Sequence, residues 1–569
     1  MALTPPPPHH RSMRALLLAL LAAAPLAAQT APKPAFTRAD TLRGSWDTPG
    51  RAWWDAVFYD LRVRVSPADS SIRGSNAITY RVVEADAVGG TGRELQIDLM
   101  APLVLDSVVQ GGRRLALRRD GNAWFATPAD PGAAGDVRTV TAHYHGRPKT
   151  AQRPPWEGGF TWAADSLGRP WIVTTDQGIG ASVWWPNKDT QADEPDSQRV
   201  ALTVPDPLKA VANGRLRSAR ANGDGTTTYE WFVASPINNY AIAVNAGRYL
   251  HWADTLQGER GVLTLDLWPL DLHLEAARRQ WAQVKPALRC LEHWYGPYPW
   301  YADGYKLVDV PYNGMEHQSA VTYGNGFANG YRGRDASGTG HGLKWDFIIL
   351  HESAHEWFAN SITAKDQADM WVHESFANYA EGLYTECLLG KEAGAEYVIG
   401  TRRGIRNDVP VQPPHRGVNA KGSGDMYPKG GNMLHTIRQL VNDDAKWRRI
   451  LRGLGATFGR RTVLGSEIEA YLIRETGLDL SKVFDQYLRD VRVPALEHRV
   501  AGRTLHYRWA DVVPGFAMPV EATLPGGRAM VLRPTERWQS LRLTEGAKQG
   551  AAPLVVDPDY YVVTRPARD

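Results

Sequence analysis

The pattern of apolar and polar positions divides the chain into regions of different secondary structure. From about Trp53 to Ala246 apolar and polar residues alternate, as in Leu61-Arg62-Val63-Arg64-Val65, and turn-forming pairs such as Gly-Asn and Asp-Gly interrupt the alternation. Alternation with a period of two is typical of strands that bury one face. The first region is therefore predicted to be rich in β-strands.

The middle of the chain has the period of a helix instead. Over 271–295 apolar residues recur at spacings of three and four, and further helices are predicted within 343–400 and 430–490. After Pro494 short apolar runs return, separated by Pro and Gly turns. That tail of about 75 residues is predicted to form a small β-sandwich-like domain.

These patterns predict a multidomain α+β protein. The predicted boundaries place an N-terminal β domain at 46–250, a mostly helical domain at 251–495 and a small C-terminal β domain at 496–569. The length of 569 residues agrees with several domains, since a domain usually has about 100–200 residues.

The first residues have the features of an export signal. A basic stretch over 11–14 precedes an apolar run over 15–24, and small residues follow up to Ala28. The apolar run is too short to span a bilayer, and no other stretch is long enough, so no membrane span is predicted. We predict a signal peptide over 1–28, a polar linker over 29–45 and a periplasmic or extracellular protein.

Charge and cysteine content exclude several classes of protein. The net charge of +4 falls to about +2 if Arg11 and Arg14 leave with the signal peptide, which is no electrostatic footprint for nucleic acid or a membrane surface. The two cysteines, Cys290 and Cys387, cannot form a disulfide scaffold or a cysteine-based zinc site. Whether they pair after export or stay free and buried is left open by the sequence.

The strongest chemical signal is the run His351-Glu352-Ser353-Ala354-His355 within an apolar helical stretch. Side chains four residues apart lie on one helix face, about one turn apart, so both imidazoles can reach one zinc ion. Glu352 lies beside them and can accept a proton from water. The run therefore predicts a catalytic zinc site.

A third zinc ligand is predicted at Glu374, which follows His355 with 18 residues between them on another amphipathic helix. Two His and one Glu leave a fourth position for water, as catalytic zinc sites require. Glu381, two turns further on, either orients a ligand histidine or is a solvated helix residue. His373 lies about 100° around the helix and is predicted not to be a ligand. One Zn²⁺ per chain is expected.

The same stretch carries a resemblance to a known family. The HESAH run, the 18-residue gap and Trp371-Val372-His373-Glu374-Ser375-Phe376-Ala377 together resemble the gluzincin metallopeptidases of the aminopeptidase N type, which include the leukotriene hydrolases. Val372 and Ser375 depart from the family pattern without affecting the ligand. The resemblance implies a thermolysin-like, mostly helical catalytic domain at 251–495.

It also implies a binding site for the substrate's amino group. The run Asn313-Gly314-Met315-Glu316-His317 is similar to the family's Gly-x-Met-Glu-Asn strand, with Asn313 in place of the first glycine and His317 in place of the final asparagine. In that family the glutamate holds the free α-amino group of the substrate. Glu316 is expected to inherit this role, with Gly314 and Met315 beside it.

Two more positions resemble functional residues of the family. Gln177 resembles the substrate-binding glutamine of leukotriene-hydrolase-like members. Tyr427, in Tyr-Pro-Lys-Gly, resembles the tyrosine of the family's Tyr-Glu-Lys-Gly and is expected to stabilise the oxyanion. The resemblance extends from about residue 50 to 500. The large helical C-terminal domain of long family members has no counterpart in this sequence.

The implied function is a secreted or periplasmic zinc-dependent aminopeptidase that acts on peptides with a free N-terminus. Two alternatives use the same fold. One is a zinc endopeptidase or epoxide hydrolase at the same site, and the other is an inactive binding or scaffolding protein. Retention of His351, His355 and Glu374 together with Glu352 and Tyr427 argues against the inactive alternative.

Overall fold

The computed structural model describes residues 37–83, 93–415, 418, 420–525, 527–543 and 554–567. The predicted signal peptide over 1–28 lies outside the described residues, as does the predicted linker up to residue 36. From residue 37 onward the linker is not plain coil, because the chain forms a short helix at Arg38–Gly44 (α1).

The N-terminal region consists of strands, as its alternating pattern predicts. The strands are Trp54–Ser66 (β1), Ser71–Val82 (β2), Leu95–Asp98 (β3), Val104–Gln110 (β4), Arg113–Arg114 (β5), Ala116–Asp120 (β6), Ala123–Thr127 (β7), Val137–Gly146 (β8), Gly159–Ala164 (β9), Pro170–Thr175 (β10), Ser197–Pro205 (β11), Lys209–Val211 (β12), Arg215–Ala221 (β13), Thr226–Val233 (β14) and Asn245–Gly247 (β15). Strand β1 shows why: Leu61, Val63 and Val65 are buried, whereas Arg62 and Arg64 between them are exposed.

These strands form three sheets. The largest has eight strands in the order β13-β14-β11-β1-β2-β8-β4-β5, and β1 lies in register with Leu61 opposite Val200 of β11. A three-stranded sheet has the order β3-β7-β6, and a four-stranded sheet has the order β12-β15-β10-β9. Strand β10 ends at Thr175, so the residues that follow it, Asp176 and Gln177, emerge at the end of that sheet.

The next region combines a five-stranded sheet with most of the helices. Its strands are Trp252–Gly258 (β16), Gly261–Trp268 (β17), Tyr305–Asp309 (β18), Gly314–Met315 (β19) and Val321–Tyr323 (β20), in the order β16-β17-β18-β20-β19. The helices are Leu274–Gln280 (α2), Val284–Tyr295 (α3), Phe347–Ala354 (α4), Trp371–Leu389 (α5), Lys391–Thr401 (α6), Pro428–Val441 (α7), Asp444–Phe458 (α8), Gly465–Thr476 (α9) and Ser481–Phe484 (α10). Every described helix is too short or too polar to span a membrane.

Two short strands interrupt the stretches that were predicted to be helical. Ile362–Ala364 (β21) lies between α4 and α5, and Arg461–Val463 (β22) lies between α8 and α9. The two pair in parallel, with Ile362 opposite Arg461. Three residues are too few to show a period of two, so the local pattern gave no sign of this long-range pairing.

A disulfide joins the third and fifth helices. Cys290 of α3 is bonded to Cys387 of α5, across 97 residues of sequence. This settles the choice that the sequence left open in favour of the paired form. It links α3 to the helix that carries Glu374.

The C-terminal region consists of two small sheets. The strands are Ala495–Ala501 (β23), Thr504–Ala510 (β24), Val520–Thr523 (β25), Ala529–Leu532 (β26), Gln539–Arg542 (β27), Val555–Val556 (β28) and Val563–Pro566 (β29). One sheet has the order β27-β24-β23-β29 and the other β26-β25-β28. Buried residues of both sheets, such as Trp509 and Val520, belong to the same hydrophobic core as the helices.

Candidate metal centre and active site

Two helices bring the predicted zinc ligands together. His351 lies in α4 and His355 is the residue that caps its C-terminal end; the helix starts where the Asp346 carboxylate accepts hydrogen bonds from the N–H groups of Ile348 and Ile349. The Nε2 atoms of His351 and His355 lie 3.3 Å apart. Oε2 of Glu374, from the first turn of α5, lies 3.3 Å from Nε2 of His355 and 3.6 Å from Nε2 of His351.

This arrangement fits a zinc ion. Tetrahedral zinc with bonds of about 2.0–2.2 Å separates neighbouring ligand atoms by roughly 3.3–3.6 Å, which is the spacing of these three atoms. Oε2 of Glu374 is buried and has no hydrogen-bond partner among the described residues. Burial disfavours a charged imidazole, but the Glu374 carboxylate outweighs burial and raises the pKa of His355 to about 9. The three groups thus favour a positive charge between them.

The other ring nitrogens of both histidines are held by fixed partners. Nδ1 of His351 lies 2.9 Å from Oε1 of Glu381, and Nδ1 of His355 lies 2.9 Å from the carbonyl oxygen of Phe358. Tyr397 donates a hydrogen bond to the second oxygen of Glu381 at 2.8 Å. Such contacts fix ring orientation and leave Nε2 free for a metal. The structure therefore places Glu381 in the interior against His351 and not on a solvated face.

Glu352 lies beside these ligands at the wall of a cavity of about 330 Å³. Its carboxylate is within 4.8 Å of both His355 and Glu316. Burial raises its pKa. A side chain on Gly314 would come within 2.6 Å of Ile348 and 3.2 Å of Cγ of Glu352. The glycine thus allows β19 to approach α4 next to Glu352.

Tyr427 lies beside the third ligand, Glu374. It follows a 3₁₀ turn at Gly424–Met426 and precedes α7. Its hydroxyl donates a hydrogen bond to Oε1 of Glu374 at 2.9 Å, and its ring centroid is 6.0 Å from that of His351. The hydroxyl is therefore next to the metal ligands and lines the same cavity.

Glu316 directly follows β19 and lines the same cavity. Gln177 donates a hydrogen bond to its Oε1, and the Tyr240 hydroxyl donates to the same atom at 3.3 Å. The backbone carbonyl of Glu316 accepts from Asn360 at 2.8 Å. Burial raises the pKa of Glu316 to about 7. The structure thus brings together Gln177 and Glu316, which are 139 residues apart in sequence.

Tyr240 is a site residue that sequence reasoning missed. It lies within a 3₁₀ turn at Asn239–Ala241, in a region with no recognisable motif. The residues that flank the site are also placed. Met315 lines the cavity, whereas His373 accepts a hydrogen bond from the N–H of Ala364 and is not a ligand, as predicted. His317 is fully buried, and burial lowers its pKa to about 3.

Comparison with known proteins agrees with this geometry. Residues 282–487 match the Peptidase family M1 domain. Aminopeptidase B of Rattus norvegicus is 22% identical over 335 residues, which cover 55% of this chain and 48% of that protein. Aminopeptidase N of Lactococcus lactis subsp. lactis is 27% identical over 173 residues, covering 28% of this chain and 20% of that protein. The chain thus aligns with less than half the length of these relatives.

Solved structures share the fold over most of the chain. The crystal structure of an M1 zinc metallopeptidase from Deinococcus radiodurans superimposes with a TM-score of 0.65 at 20% identity, over 80% of this chain and 98% of that one. A mutant of that enzyme bound to a Tyr-Ser-Ala substrate gives a TM-score of 0.63 at 20% identity, over 79% and 97% of the two chains. The match of residues 282–487 to the Peptidase family M1 domain, together with the aminopeptidase relatives, confirms the resemblance to the aminopeptidase N type of gluzincin.

Proposed function

We propose that this protein is an exported zinc-dependent aminopeptidase that removes single residues from the free N-terminus of peptides. One observation carries the proposal: a buried carboxylate, Glu316, shares one cavity with the metal-ligand cluster and lies within 4.8 Å of both His355 and Glu352. An acidic group so close to the reaction centre suits a substrate whose positive charge is one residue away from the bond that is cleaved.

The first chemical role falls to Glu352. A zinc ion held by His351, His355 and Glu374 supplies Lewis acidity, which lowers the pKa of water and polarises a carbonyl oxygen. Glu352 takes the proton from the attacking water and then delivers it to the leaving amine. Burial suits this shuttle, because it favours the protonated form after the transfer and holds the pKa of Glu352 above its ordinary value.

The second role falls to Tyr427. Its hydroxyl donates to Glu374 in the resting structure, so it is held beside the metal ligands rather than in solvent. As negative charge develops on the carbonyl oxygen, the hydroxyl exchanges this bond for one to the oxyanion. The interaction is then made near the transition state and not with the bound substrate.

The third role is to fix the register of the substrate. Glu316 binds the α-ammonium group, while Gln177 and Tyr240 hold its Oε1 atom in place. An ammonium group bound there would bring the first peptide bond next to Glu352 and the three residues that would hold the zinc ion. An internal bond brings no positive charge to Glu316, and a buried carboxylate without its cation is costly.

Peptide substrates and export have separate supports. The related Deinococcus radiodurans structure with its Tyr-Ser-Ala substrate supports a peptide rather than an epoxide. For export, the support is the signal-peptide pattern over 1–28 and the disulfide between Cys290 and Cys387, since disulfides persist in oxidising compartments. Cell fractionation with N-terminal sequencing of the processed chain tests this part. A cytosolic chain that keeps residue 1 would contradict it.

The test of the activity uses matched free and acetylated peptides. The protein is incubated with each peptide, with and without a chelator, and the products are followed by mass spectrometry. Stepwise loss of N-terminal residues from the free peptide alone, abolished by the chelator, is the expected result. Internal cuts in both peptides at similar rates would indicate the endopeptidase alternative. No turnover of either peptide with zinc bound would indicate the epoxide hydrolase or the inactive protein.

A further inference from the structure

The short helix α1, in the segment predicted to be a linker, lies against the loop that carries Gln177. This loop, 176–180, follows β10 and closes on itself through a hydrogen bond from the N–H of Gly180 to the carbonyl of Asp176 at 2.7 Å. The catalytic roles of Glu352, Tyr427 and Glu316 do not require a helix against the loop 176–180.

The end of α1 is fixed by buried polar groups. The Arg51 side chain is fully buried and donates to the carbonyl oxygens of Arg43 at 2.7 Å and Ser45 at 2.6 Å. The same guanidinium pairs with Asp98 at 2.5 Å. Gln96 donates to the carbonyl of Leu42 at 2.9 Å. Carbonyl groups held by buried donors cannot move without breaking several hydrogen bonds, so the C-terminal end of α1 has a fixed position.

Arg43 extends from this end of α1 to the loop. Its Nη2 donates to the carbonyl oxygen of Gly178 at 3.0 Å, and its Nε lies 3.5 Å from Oδ2 of Asp189. Asp189 in turn accepts from the N–H groups of Ala181 and Ser182 just after the loop. A side chain on Gly180 would collide with both the Arg43 guanidinium and the Asp189 carboxylate. The loop is thus shaped for the arginine.

The catalytic region holds the same carbonyl from the other side. Gln367, in the turn before α5, donates to the carbonyl oxygen of Gly178 at 3.2 Å. Gly178 directly follows Gln177, whose side chain donates to Glu316. The position of the Gln177 amide, and through it the orientation of the Glu316 carboxylate, therefore depends on a carbonyl fixed by two donors.

We infer that Arg43 is a positioning residue for the site that binds the substrate's amino group. It acts through Gly178 and Gln177 on Glu316 and does not touch the substrate. This inference rests on the proposed aminopeptidase function. If Arg43 has this role, α1 contributes to the geometry of the active site although it lies far from the metal-binding residues in sequence.

The test is Arg43→Met in the full-length protein, with Arg38→Met as its matched control. Arg38 lies on the same helix, but its side chain is 75% exposed and pairs at 2.7 Å with Asp120, which is outside the loop. For Arg43→Met we expect KM for free-amine peptides to rise about tenfold, with kcat changed less than about twofold, because the binding of the ammonium group is weakened equally in the ground and transition states. Arg43→Lys should recover part of the loss, since lysine keeps the charge.

A double-mutant cycle separates positioning from general stability. In a Gln177→Ala background Arg43→Met should raise KM no further, because the group that it positions is gone. A KM for Arg43→Met equal to that of Arg38→Met, or an equal rise in the Gln177→Ala background, would overturn the inference. Absence of turnover in the unsubstituted protein would instead overturn the proposed function.

Discussion

Two parts of the site are built in different ways: the metal end, formed by His351, His355 and Glu374, and the amine end, formed by Glu316 with Gln177 and Tyr240. At the metal end, His351 lies in the last turn of α4, His355 directly follows that helix, and Glu374 lies in the first turn of α5. At the amine end, Gln177 and Tyr240 come from the N-terminal region and Glu316 from the five-stranded sheet, each on a loop or a turn. Helices fix side chains by their own geometry, whereas loops need outside support. We therefore expect that removal of one metal ligand abolishes activity, whereas removal of one contact at the amine end lowers activity only in part.

The largest effect is expected for Glu374→Ala. The variant removes one of three ligand groups and leaves two buried imidazoles without the carboxylate that favours positive charge between them. We expect loss of nearly all zinc and all turnover. Elemental analysis of the purified variant checks this. Stoichiometric zinc held at the original affinity would show that Glu374 is not a ligand.

Glu352→Gln should separate proton transfer from metal binding. The amide keeps the shape of the side chain but cannot take a proton, so turnover should fall about 10²–10⁴-fold while zinc stays bound. Glu356→Gln is the matched control, because burial raises the pKa of Glu356 to about 8 and an amide resembles its neutral form. Turnover of Glu352→Gln close to that of the control would exclude Glu352 as the proton acceptor.

Tyr427→Phe should lower kcat about 10²–10³-fold and leave KM nearly unchanged, as expected for an oxyanion donor. The lost hydroxyl also donates to Glu374 in the resting structure, so zinc content must be measured alongside. An unchanged kcat with a raised KM would assign Tyr427 to ground-state binding instead.

The same contrast between helices and loops explains which residues of the site could be predicted from the sequence. The spacing of His351 and His355 predicts their geometry, because residues four apart on a helix must lie on one face. Glu316 and Gln177 were found only through the family resemblance. Tyr240 and Arg43 have no local spacing that could reveal them, since their contacts depend on chain segments more than 70 residues away. The pairing of β21 with β22 was missed for the same reason, and the carbonyl groups of α1 are held by Arg51 and by Gln96, which is 54 residues from its partner Leu42.

Glu381→Ala tests whether the metal end depends on groups behind its ligands. Glu381 is fully buried between Nδ1 of His351 and the Tyr397 hydroxyl. Removing such a partner typically lowers metal affinity about 10–100-fold. Competition with a chelator of known affinity measures this. Unchanged zinc affinity would mean that helix geometry alone orients His351.

The smallest effect is expected at the amine end, for Tyr240→Phe. The variant removes one long hydrogen bond, from the Tyr240 hydroxyl to Oε1 of Glu316 at 3.3 Å, while the bond from Gln177 remains. Such a bond is usually worth about 0.5–1.5 kcal/mol, so KM for free-amine peptides should rise roughly two- to tenfold with kcat nearly constant.

A second buried tyrosine provides the control. The Tyr249 hydroxyl accepts from Trp171 and donates to the carbonyl of Asp309, and neither partner is a residue of the site. Tyr249→Phe should lower thermal stability about as much as Tyr240→Phe but leave KM unchanged. If both variants shift KM equally, the effect is one of general packing, and Glu316 does not depend on Tyr240. If only Tyr240→Phe shifts it, the amine end is held by several weak contacts from separate loops, each of which can be removed without losing the site.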